Sequence, residues 1–274
     1  MTGRNRGFAL LIVLWTLVLI AFIVGNLTAR GRTEIRIASN LVSNAAAQAA
    51  ADGAVYQAIY NLSDPQPDRR WPLDGSAHKL RIGAAETVVR VTDEAGRINP
   101  NTATPALLYA LLRAVGSDDG TAQQIAQEIA LWVGSAPGGP QPTEEMARYE
   151  AAGRSYGPPG EPLQTLGELR RVLGMTPEIF AAIRPHLTLY GPPLPNPQSA
   201  DPTVTAALAL VQESNPNAPN PAFLTAPPPI VTARITAAAL GLGNARAERT
   251  VIARIGPMLP GGYVILARDA GAAE

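Results

Sequence analysis

The sequence predicts an α+β protein: a long N-terminal helix packed on an antiparallel sheet, with a large all-helical domain inserted. Three observations carry this. An unbroken apolar segment, Phe8 to Val24, leads into helical periodicity as far as Leu62. Strand-like runs lie on two sides of the chain, over 78–92 and 230–267. Between them, 104–186 reads as a series of short helices, and helices segregated from strands are the mark of the α+β class.

The segment from Phe8 to Val24 holds 17 residues with no charge and no proline, and Thr16 carries its one hydroxyl. As a helix it spans roughly 26 Å, extended to a bilayer interface by Gly25, Asn26 and Leu27. A secretory signal would have its small-residue cleavage site after the apolar region. Here the small residue, Gly7, lies before it, beside Arg4 and Arg6. Cutting after Gly7 removes a basic leader, residues 1–7, and leaves Phe8 as the new terminus of an intact helix, 8–62, membrane-spanning over 8–27. The other reading is an uncleaved anchor. Arg4 and Arg6 precede the span while Arg30, Arg32 and Arg36 follow it, so charge alone leaves the orientation open.

Beyond the membrane, Ile35, Ala38, Val42, Ala45, Ala49, Tyr56 and Ile59 recur at three- and four-residue steps, interrupted by Asp52. Ser63-Asp64-Pro65 and Pro67 end the helix. His78–Ile82 and Thr87–Thr92 read as strands joined by a turn over Gly83–Glu86, and the cluster Asp93–Asn101 turns into a helix at Thr104. The predicted helices are 104–115, 121–133, 143–152, 166–173 and 177–183. Thr121 and Thr143 are the expected N-caps, Glu144 and Glu145 suit a first turn, and Thr176-Pro177 is a start signal. After proline-rich 191–202, a helix is expected over 203–213 and a linker over 215–229. Strands follow over 230–237, 246–255 and 262–267. The resulting division is a head of 63–100 and 187–274 around a helical insert of 101–186.

Composition limits the function. Acids and bases balance at 22 each, or 20 basic against 22 acidic without Arg4 and Arg6, which argues against a polyanion-binding body. Cysteine is absent, so neither a disulfide nor a thiolate metal site can form. His78 and His186 belong to no metal-binding or catalytic spacing, and no nucleophile elbow or P-loop is present. We therefore expect no enzyme activity.

Gly7-Phe8-Ala9-Leu10-Leu11-Ile12 resembles the processing site of type IV pilins and type II secretion pseudopilins. The resemblance implies a prepilin peptidase that cuts after Gly7 and methylates the amine of Phe8. It also implies a single-pass bacterial inner-membrane protein whose C-terminal head lies in the periplasm. Most pilin-like chains carry glutamate at the fifth mature position; here Ile12 stands there. K-type minor pseudopilins lack that glutamate too. Asp93-Glu94-Ala95-Gly96-Arg97-Ile98-Asn99-Pro100-Asn101 is similar to their D-x-x-G-R-x-N-x-N motif. Ala130-Leu131-Trp132, Glu144-Glu145, Tyr149, Tyr156, Leu166–Leu169 and Leu173–Met175 are similar to later signature positions.

What this implies is a non-enzymatic minor pseudopilin at the tip of the type II secretion pseudopilus. It would take part in assembly and protein export, with other minor pseudopilins as partners and no nucleic acid. Some family members bind calcium through acids after the tryptophan. Val133-Gly134-Ser135-Ala136 follows Trp132 instead, and Asp118, Asp119, Glu144 and Glu145 read as loop and helix-start charges, so no metal ligand and no cofactor is assigned. The alternatives are a type IV pilus minor pilin and a membrane-anchored helix–hairpin–helix DNA receptor. The second is suggested by Glu168–Met175, with Arg170, Arg171 and Arg184 available to phosphates.

Overall fold

A computed structural model describes residues 6–134, 142–215 and 230–268, with side chains for all of these except 6–9, 27–33, 142 and 143. The leader residues 1–5, Ser135-Ala136 and nearly all of the expected linker lie outside the described residues.

Helix α1 runs from Arg6 to Leu62, 57 residues without a break. Its contact with the rest of the molecule begins at Ala47. From there Ala47, Ala50, Ala51, Ala54, Val55, Ala58, Ile59 and Leu62 are buried. The face differs from the stripe expected from the sequence: Ile35 and Val42 are 71% and 70% exposed, Tyr56 is exposed, and of that stripe only Ile59 is buried. Alanine explains the change. Its small side chain lets the helix axis approach the sheet closely from Ala47 on, while Ile35, Ala38 and Val42 precede that contact. Asp52 sits at the margin of that contact and accepts a hydrogen bond from Arg249 Nε at 3.1 Å.

The sheet has five antiparallel strands in chain order: β1 (Asp74–Ile82), β2 (Ala85–Asp93), β3 (Val231–Leu240), β4 (Arg246–Ile255) and β5 (Tyr263–Arg268). Side chains alternate across a strand. Val89 and Val91 of β2, Ala233, Ile235 and Ala237 of β3, and Val251, Ala253 and Ile255 of β4 therefore form one buried layer with α1. The β1–β2 hairpin closes through Gly83-Ala84, where Gly83 holds φ 58°.

Between the paired neighbours β2 and β3 lie the remaining helices: α2 (Pro105–Ala114), α3 (Asp119–Trp132), α4 (Pro142–Ala151), α5 (Pro177–Ile183) and α6 (Pro202–Ser214). They enclose a second core from Ile98 to Ala207, including Leu107, Leu111, Ile125, Ile129, Trp132, Tyr149 and Phe180. Because Val204 and Ala207 of α6 belong to this core, the helical body reaches well beyond residue 186.

Several starts also differ from expectation. Asp118, not Thr121, caps α3: its Oδ1 accepts from the Thr121 N–H at 3.0 Å. Thr143 lies inside α4 rather than at its cap. Residues 166–171 form a 3-10 turn in place of an α-helix, because Glu168 folds back to accept from the Gln164 and Thr165 amides and Val172 is already extended. Thr104 and Thr176 cap α2 and α5, each followed by proline.

Candidate functional site

Three features stand out chemically: the uncovered part of α1, the junction between the two cores, and a polar–aromatic cluster at the end of α3. Gly7 and Phe8 lie in the first turn of α1, outside the residues with described side chains. Ile12 is 49% exposed, and Leu10 through Val24 show no buried side chain. A contiguous apolar surface of this size is not left in water by a soluble monomer. Among the described residues no helix is long and apolar enough to cross a membrane.

The junction is built by the segment 93–101. Asp93 Oδ1 accepts from the Ala95 N–H at 2.8 Å, closing a tight 3-10 turn over 94–96. Gly96 is needed for space: a Cβ there would come within 2.2 Å of the Ser199 carbonyl oxygen. Ile98 bridges Leu187 in parallel, receiving a hydrogen bond from Thr188 N–H and donating to His186 O, both 2.9 Å. Asn99 Nδ2 donates to the carbonyls of Leu189 and Gly191. Asn101 exchanges two hydrogen bonds with the backbone of Leu163. Asn99 and Asn101 thus hold distant loops while Asp93 closes its own turn, which is structural work.

Sequence reasoning missed the residue that ties this junction to the sheet. Glu94 is fully buried; its Oε1 accepts from Arg234 Nε of β3 at 2.6 Å and lies 3.5 Å from Arg97 Nη1. The two partners are 140 residues apart in the chain, so no local pattern could have paired them.

At the end of α3, Trp132, Tyr149 and Tyr156 form a ring cluster with centroids 6.1–6.3 Å apart. Three positions singled out separately in the sequence therefore meet. Beside them Arg148 Nη1 reaches Glu145 at 3.2 Å, and its Nη2 donates to Glu128. Glu145 lies in the first turn of α4, as expected, and is buried there. Burial pushes the Glu128 carboxyl above its ordinary range, against the pull of Arg148 and with a further push from Glu145. On Arg148 burial acts against the charge, yet the two carboxylates outweigh it and hold the guanidinium above its ordinary value. The pair attracts, but removing Glu128 from water costs more than the attraction returns. Glu128 was legible: it stands one turn before Trp132 on the same helix face. Tyr149 is pushed up to about 12, mainly by burial, while its hydroxyl accepts from the Leu173 N–H at 3.1 Å.

The acids considered for calcium do not converge. Asp118 caps α3, Asp119 accepts from the Tyr109 hydroxyl, and Glu145 serves Arg148; among the described residues no three acid or histidine side chains gather. The donor set does not fit that ion. Of the basic residues considered for phosphate, Arg170 lies over the Phe180 ring at 4.6 Å. His78 stacks on Trp71 at 4.0 Å, and His186 Nδ1 contacts Asp201 Oδ2 at 2.7 Å. A cavity of about 920 Å³ forms an apolar groove between α2, α3 and α6 whose lining includes neither carboxylate nor histidine.

Residues 86–193 match the family model described as type II secretion system (T2SS), protein K. Among solved structures, the chain resembles one chain of the GspK-GspI-GspJ complex from the type 2 secretion system of enterotoxigenic Escherichia coli. The TM-score is 0.57 at 15% identity, covering 88% of this chain and 98% of that one. That likeness speaks for the fold, a five-stranded antiparallel sheet with several helices. No curated protein matches the chain. The family match bears out the resemblance to type II secretion protein K read from the sequence, and the structural likeness agrees with the fold.

Proposed function

We infer that this chain, whose residues 86–193 belong to the type II secretion protein K family, works as a minor pseudopilin in protein export. It is a structural component, without catalysis, and its place is the bacterial cell envelope. The finer reading is a subunit at the tip of the pseudopilus, anchored once in the inner membrane over 8–27 with its head in the periplasm. A prepilin peptidase cuts after Gly7 and methylates Phe8. Other minor pseudopilins are its partners. We place the helical insert at about 94–215, the span between the junction and the end of α6.

The observation that supports this best is α1. Its last 16 residues are covered by the chain's own sheet, and its apolar beginning is covered by nothing among the described residues. Burying a single such Leu or Ile side chain is worth about 1.5–3 kcal/mol, so lipid and neighbouring helices are the natural cover. Ile12 adds an asymmetry. A carboxylate at that depth costs free energy unless it meets a partner. A subunit without it forgoes one ion pair with a neighbour, and a bulky helical body would obstruct stacking above. Both suit an end position.

The test is mass spectrometry of the membrane-extracted protein, expected to show N-methylated Phe8 at the terminus; an intact Met1 would defeat the processing claim. Gly7→Ala is expected to retain the leader and stop secretion. Co-purification with the neighbouring minor pseudopilins tests the partners. Tight DNA binding at physiological salt in their absence would favour the receptor reading instead.

A further inference from the structure

The two cores of this protein are separate: one joins α1 to the sheet, the other lies among the helices, and Glu94 belongs to neither. The main described contact between strands and helical body is β3 against the 94–96 turn. Close by, a cleft of about 540 Å³ separates the ends of β1 and β2 from Pro185 and 198–201. The two bodies thus meet next to open space, and an ion pair stands at the point of contact.

That ion pair has unusual surroundings. Glu94 has no exposed surface, and its Oε2 is buried without a hydrogen-bond partner among the described residues. Its Oε1 faces Arg234, 12% exposed, and Arg97, 29% exposed. A carboxylate removed from water is costly unless held by opposite charge in good geometry. The bond to Arg234 Nε is directional, so the arrangement has one low-energy pose rather than a range. An apolar contact of equal size would permit sliding. From the same turn, the Ala95 carbonyl accepts from Asn196 N–H at 2.7 Å, and Gly96 lies against Ser199. Whatever fixes 94–96 on β3 therefore fixes the loop that leads into α6 too.

We propose that Glu94 is a positioning residue: through Arg234 it sets the orientation of the helical body on the sheet, while each body folds on its own core. This is independent of the assignment to secretion, since it concerns only the geometry of the chain. A partner touching both α1 and the helical body would meet them at one fixed angle.

The chain has no cysteine, so pairs of spin labels can be introduced cleanly. In the detergent-solubilised full chain, labels at Ala206→Cys and Arg246→Cys report the distance between the bodies. Labels at Ala147→Cys and Ala206→Cys report the inside of the helical body. Glu94→Gln keeps size and removes charge. It is expected to replace the single narrow distance between bodies with a broad distribution, and to leave the internal distance unchanged. Arg234→Lys, which keeps charge but loses the planar donor, is expected to do the same more mildly. Unchanged narrow distances in both variants would overturn the proposal. So would loss of both distances together in both variants, since that would make Glu94 a residue of the general fold.

Discussion

Asn101 and Leu163 are joined in both directions: Asn101 Nδ2 donates to the Leu163 carbonyl at 3.1 Å, and Leu163 N–H donates to Asn101 Oδ1 at 2.7 Å. A side-chain amide here does what a neighbouring strand would do, satisfying both polar groups of a loop residue whose side chain is buried in the helical core. Asn101→Ala leaves both groups unsatisfied. The expected loss is on the order of 1–3 kcal/mol, read as a lower denaturant midpoint. Asn101→Asp keeps the acceptor and loses the donor, so its loss should be smaller.

Gly96→Ala tests space rather than backbone freedom. The added methyl would meet the Ser199 carbonyl oxygen at 2.2 Å and the Ala200 nitrogen at 2.8 Å. Backbone cannot swing aside as a side-chain tip can, and overpacking costs roughly 1–3 kcal/mol. Limited proteolysis should cut the Gln198–Asp201 loop sooner in this variant than in the parent.

Glu128 gives a pH dependence of definite sign. Burial raises its pKa above the unfolded value, so the folded state holds the proton more tightly. Its contribution to stability is complete below the ordinary carboxylate value and is lost as pH rises through the elevated one. Glu128→Gln removes that loss. Its stability relative to the parent should therefore rise between acidic and neutral pH, measured by urea unfolding at about pH 4 and about pH 7.

Tyr149→Phe removes the acceptor of the Leu173 N–H and should cost on the order of 1 kcal/mol. The parent phenol, pushed up to about 12, favours the neutral form in the fold. Stability from this group is intact below ~10, the free tyrosine value, and disappears as pH climbs toward its folded value. In absorbance titration near 295 nm, the parent should show a late-ionising tyrosine that the variant lacks.

Much of the fold was legible because local signals decided it. The β-branched run Thr87–Thr92, the Thr176-Pro177 start and the proline stops after Leu62 each carry their own physics. Resemblance added the order of motifs from Asp93 to Met175, and the structure gathers Trp132, Tyr149 and Tyr156 into one cluster. Other features depended on distance in the chain. The contact face of α1 was misplaced because alanines that permit close approach look, in sequence, like mere helix formers. Asp118 was passed over as a cap because Thr121 also has the right chemistry. The burial of Glu145 follows from Arg148 and Glu128, the latter on another helix. The Glu94–Arg234 pair joins residues from opposite ends of the head.

The placement of β3 beside β2 has a consequence for how the protein is made. Asp93 pairs with Ala233 in the finished sheet, so a newly emerging chain has no partner for that edge of β2 until synthesis has passed β3. Bringing such remote ends together carries an entropic cost that grows only with the logarithm of the intervening length. The helical body can shorten that search, because α2 packs on α6 and so brings the two ends of the intervening chain together. Once Ile98 and Leu187 have met, much of the intervening chain is already gathered in. The late strands then complete a template instead of starting one, and during that delay the open β2 edge is where a nascent copy is most exposed to wrong pairing.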